Sequence, residues 1–232
     1  MGLKIPNYID VFKLDTYPVT HSWNDKDPAA IYLKPDEPLR NRIDAISGRG
    51  IFSLSIGITE WIFWRLDRAH SADKLWMLLE AMWAGSIDRR YILMPDGPSW
   101  EKWQGPVRGP LCGSMNLLKE TSYLLETDQP CSLETVCLYR LALHVLPDPK
   151  PFKEWLRFVI TRLSTTNPRS RKNYLGMPAP REALDPQVDY NPKQGKELIG
   201  TFLLNLDQKK NPFLAPPATM KKYGFEGKPY HV

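Results

Sequence analysis

Nucleophiles and metal ligands are scarce in this sequence: three cysteines and four histidines are spread over 232 residues. Cys112, Cys131 and Cys137 are odd in number and irregularly spaced, which excludes a disulfide framework and reads as buried thiols of a reducing compartment. His21, His70, His144 and His231 lack the short, regular spacing of zinc ligands. Neither a Gly-x-Ser-x-Gly elbow nor a Gly-x-x-x-x-Gly-Lys phosphate loop occurs. Gly48-Arg49-Gly50 has no third glycine and follows a helical pattern rather than a strand, so it is not a dinucleotide fingerprint. Long apolar runs are missing too. Ile51 to Leu66 is the most apolar stretch and it contains Glu60, short of the roughly 20 residues that span a bilayer. With no secretory h-region near Met1, a cytoplasmic protein without membrane contact is expected.

Proline is abundant instead. The 22 prolines are roughly twice the usual share of about 5%, and because proline removes a donor and clashes with the preceding helical turn, they delimit where helices can run. Residues 1–38 hold five prolines and short β-like runs at Tyr8 to Leu14 and Ile31 to Leu33, so an extended arm or small β-hairpin is expected there. From Leu39 to Asn167 apolar residues recur at three- and four-residue spacing. A break at Gly48 to Gly50 precedes a helix to about Arg68, because an interior glycine costs about 1 kcal/mol relative to alanine. Ser71 caps the next helix, which Gly85 ends. A loop from Pro95 through Gly109-Pro110 separates it from helices beginning near Met115, Ser132 and Phe152. Residues 168–192 form a proline-rich connection, 193–211 a last helix and 212–232 a tail. The pattern gives one mainly α domain, an irregular multi-helix bundle. Trp61, Trp64, Trp76 and Trp83 lie at helical spacing and belong to the core, whereas Trp100 and Trp103 sit in the loop.

Few groups offer chemistry. Glu60, Asp67 and His70 share one broad helix face; Cys131, Cys137 and His144 follow similar steps. Cys112 is expected just before a helix, where the dipole lowers a thiol pKa. None of these carries a partner set specific enough for catalysis or metal binding, so no cofactor and no metal is expected. Charge is uneven. Residues 1–130 carry 15 basic and 17 acidic side chains, and residues 131–232 carry 16 and 9. A nucleic-acid site would have to use the basic part, where Arg169, Arg171 and Lys172 could track a backbone and Tyr174 stack on a base. Most such runs are solvated loops.

Glu60-Trp61-Ile62-Phe63-Trp64-Arg65, Glu80-Ala81-Met82-Trp83-Ala84, Ile87-Asp88 and Tyr91 together resemble a pattern found in immunity proteins of bacterial polymorphic and contact-dependent toxin systems. The resemblance implies a non-enzymatic α-helical protein that forms a heterodimer with a cognate toxin, such as a nuclease, and blocks its active site. Function would then lie in a surface of about 800 Å² with a few anchors. The densest acidic group, Asp25, Asp27, Asp36 and Glu37, would steer a basic toxin, and Trp100 and Trp103 would anchor it.

Overall fold

Leu39 to Met94, the longest stretch free of proline, holds most of α3 and the two helices that follow. The computed structural model describes residues 3–70, 73–94 and 101–231; of residues 67–70, 73 and 74 it describes the backbone alone. Helix α3 (Glu37–Ile43) has Pro38 in its first turn and the Asp36 carboxylate accepting the Leu39 N–H at 3.2 Å, a cap and a fixed φ that both favour a helix start. The chain turns over residues 44–47, and α4 (Gly48–His70) then runs without interruption. The break expected at Gly48 to Gly50 is therefore four residues too late. Glycines inside this helix leave room for close neighbours. A β-carbon at Gly48 would lie 2.7 Å from Leu125 Cδ1, and one at Gly57 would lie 2.5 Å from Leu184 Cδ2.

Every residue from Gly50 to Phe63 is buried, so α4 is the axis of the bundle. Helices α5 (Asp73–Ile87), α6 (Gly105–Glu126), α7 (Ser132–Val145) and α8 (Lys150–Thr166) surround it. A helix wrapped on all sides must satisfy its polar side chains internally. Ser53 accordingly donates to Ala179 O at 3.0 Å, Thr59 to Ser55 O at 2.9 Å, and Ser55 shares a hydrogen bond with Thr135 at 2.8 Å. Trp61 and Trp83 are in the core as expected, while Trp64 and Trp76 pack partly buried against it.

Several expectations need correction. The β-like segments are helical: α1 is Asn7–Asp10 and α2 is Ala29–Tyr32. The described residues contain no strand, only isolated bridges between Ile46 and Pro168 and between Ile92 and Leu214. Helix α5 passes Gly85 to Ile87. The loop expected through Gly109-Pro110 does not extend that far, because α6 begins at Gly105, so Cys112 is inside a helix rather than ahead of one; residues 95–100 lie outside the described residues. Ser71 and Trp100 lie outside the described residues.

The C-terminal part docks on the bundle through α9 (Gly195–Leu204) and α10 (Pro217–Lys222). Ile199, Leu203, Leu214 and Met220 close a second apolar cluster with Ala81 and Ala84 of α5. Tyr230 stacks on Tyr91 at 4.9 Å and donates to Ala215 O at 2.8 Å. No helix among the described residues is long and apolar enough to cross a membrane.

Candidate partner-binding site

The acidic residues of the N-terminal part lie on a strap that runs along α7 in the opposite direction. His144 Nε2 donates to Ser22 O at 2.5 Å, Arg140 Nη2 donates to Asp36 Oδ2 at 2.8 Å, and Arg40 Nε donates to Ser132 Oγ at 3.4 Å. The other edge of the strap is fastened to the start of α6. Asp25 Oδ1 accepts the Gly105 N–H at 2.9 Å, and His21 Nε2 donates to Pro106 O at 2.7 Å. That second contact explains how α6 tolerates Pro110 in its interior. Proline has no N–H for the carbonyl four residues back, and the orphaned Pro106 carbonyl is taken by His21. The Trp23 indole covers Gly109, where a β-carbon would overlap it.

Three of the four acids thus serve helix starts: Asp25 at α6, Asp27 at α2, where it accepts the Ala30 N–H at 3.3 Å, and Asp36 at α3. Glu37 is exposed and lies 3.8 Å from Arg40. The fold brings Asp25 to Gly105 at the α6 start, two residues from Trp103, which packs partly buried against the core. Asp36 and Glu37 sit at the far end of the strap. His21 and His144 face each other with ring centroids 5.4 Å apart, and burial lowers the His21 pKa.

The other candidates are placed in structural work. Burial pushes the thiols of Cys112 and Cys137 up to about 11 and that of Cys131 up to about 12, the opposite of an activated nucleophile. Glu60 is fully buried in α4. Its Oε1 accepts from Trp83 Nε1 at 2.7 Å and from Arg181 Nε at 2.9 Å, and its Oε2 accepts from Arg181 Nη2 at 2.5 Å. The side chains of Asp67 and His70 lie outside the described residues. No group of three potential metal ligands exists among the described residues.

The basic loop closes over the start of α4. Ser47, Gly48 and Arg49 N–H groups donate to the carbonyls of Asn167, Tyr174 and Leu175. Tyr174 is half-buried, its hydroxyl donates to Gln129 O at 2.8 Å, and Arg169 lies over its ring at 5.6 Å. The ring is therefore engaged within the fold. Arg171 and Lys172 remain exposed.

Sequence reasoning missed two engaged cations, the partly buried Arg181 and the fully buried Arg65. Arg181 comes from the proline-rich connection, which carries no local sign of burial. Arg65 donates to the carbonyls of Val145, Leu14, Tyr17 and Pro18. A charge inside the most apolar stretch was the available signal for both Arg65 and Glu60, since a buried charge demands partners. Comparison with protein-family models, curated proteins and solved structures gives no match.

Proposed function

We propose that this protein acts by binding another protein, as a cytoplasmic immunity protein that occupies a cognate bacterial toxin and blocks its active site. The observation that carries the reading is the Asp25 contact with Gly105, which joins the acidic strap to the segment bearing Trp103 along one edge. The exposed carboxylates of Asp27 and, farther along the strap, Glu37 supply the charge that steers a basic partner, and Trp103 supplies apolar area beside the Asp25 contact. The engagement of Glu60 and the raised thiols favour binding over catalysis. Capture from the native source on the immobilised full chain is expected to recover one stoichiometric protein that persists at high salt, because a packed interface is less screened than phosphate contacts. Recovery of nucleic acid alone, released steeply as salt rises, sinks this reading.

A further inference from the structure

A cavity of about 500 Å³ opens between α5, the 179–182 segment, α9 and residues Leu3 and Lys4. This volume falls within the range of about 300–1,000 Å³ typical of small-molecule sites, and the cavity sits where the two apolar clusters meet. Much of its wall is apolar, with Trp83, Ile87, Leu198, Phe202 and Leu206 contributing. Arg181 is the polar group held most firmly in that wall. Its Nε and Nη2 donate to Glu60, and Nη2 donates also to Lys4 O at 2.9 Å. A guanidinium carries five N–H donors, so these contacts use three, and among the described residues the two on Nη1 have no acceptor.

Glu60 has no exposed side-chain surface, so Arg181 cannot swing away without leaving a buried charge unpaired. The donor is thereby fixed before any ligand arrives, which spares the cost of ordering it. The charges of the wall also constrain the occupant. Lys4 and Arg181 are matched by Glu80 and Glu182, with Glu60 behind Arg181. With three carboxylates against two cations an anion gains no net attraction; an ammonium group could turn only to Glu182 and to Glu80, which already accepts from Asn211, and would leave the Nη1 donors of Arg181 unmatched.

We propose that this cavity binds a small neutral molecule with an apolar body and one carbonyl-type acceptor, received by Arg181 Nη1. Fluorescence titration of the full chain with Nile red, a neutral apolar dye bearing a carbonyl, should show saturable enhancement. Octanamide should displace the dye at a concentration about tenfold lower than octanoate or octylamine, the scale of one matched hydrogen bond. Leu198→Trp, which fills the cavity from α9, should abolish dye binding without lowering the melting temperature. Thr201→Phe, at an exposed position of the rim, provides the same test should Leu198→Trp fold poorly, and Phe158→Ala on α8 should leave the titration unchanged. Absence of saturable enhancement, or enhancement that survives a folded filling variant, overturns the site. Displacement led by octanoate or by octylamine overturns the neutral ligand.

Discussion

Glu60 shows what a single residue contributes when it is fully buried. Both its oxygens are engaged, by Trp83 and by a two-point contact with Arg181, so removing it leaves a partly buried guanidinium without its anion and a buried indole N–H without its acceptor. Glu60→Ala is expected to cost about 3–5 kcal/mol in urea denaturation, the usual penalty for breaking one side of a buried pair. Glu60→Leu combined with Arg181→Met should recover part of that loss, because two apolar groups need no ionic partner, while the buried Trp83 N–H left without its acceptor keeps the variant below the parent. A Glu60→Ala loss below about 1 kcal/mol contradicts the pairing. The three thiols make a second residue-scale case. Burial holds them at about 11 to 12, so at about pH 8 the thiolate fraction is small and access is poor. A disulfide reagent is expected to leave the native protein unmodified and to titrate three thiols in denaturant. Rapid modification of Cys112 in the native protein would revive the idea of an active nucleophile.

The strap and the start of α6 form a unit whose parts depend on each other. In an ordinary helix Gly109→Ala would stabilise by about 1 kcal/mol through propensity. Here the new methyl meets the Trp23 indole, and overpacking of about 1–3 kcal/mol should make the variant less stable than the parent. Calorimetry on Gly109→Ala alone and with Trp23→Ala decides this, since the second change should restore the propensity gain. The same unit responds to pH. Burial lowers the His21 pKa from its usual value near 6.5, so the unfolded chain binds the proton more readily than the folded one. Its contribution is then complete above about pH 6.5 and declines as pH falls from there towards the folded-state pKa. Melting temperature should drop over that interval, and His21→Gln should flatten the drop. These same contacts explain what could be read in advance. Apolar spacing located α4, α5, α7 and α8, because a buried face imposes its period on the sequence. Gly105-Pro106 and Gly109-Pro110 give the first turns of α6 the sequence pattern of a loop. The groups that make those residues helical, His21 and Trp23, lie more than 80 positions away. The acidic group was likewise visible as charge, while its service as helix caps depended on which helix starts the fold brought near.

For the whole molecule, the question is whether the edge shared by the strap and α6 is a docking face or merely a well-capped surface. The four acids are not equivalent for that test. Asp25 and Asp36 stabilise helix starts, and Asp36 also pairs with Arg140, so reversing them confuses folding with binding. Asp27 and Glu37 are exposed and weakly engaged. Reversing this pair to Lys should therefore slow association with the captured partner, more at low salt than at high, with little change in dissociation. Trp103 should act on the other rate. If it anchors the partner, Trp103→Ala should speed dissociation and cost on the order of 2 kcal/mol, the hot-spot scale, with a nearly unchanged melting temperature. Because Trp103 also packs against the core, a purely internal role makes a distinct forecast: a lower melting temperature from lost buried area, and unchanged affinity in the folded fraction. Kinetics and melting measured on the same variant separate the two, and an unchanged dissociation rate in a destabilised protein removes this edge from the interface.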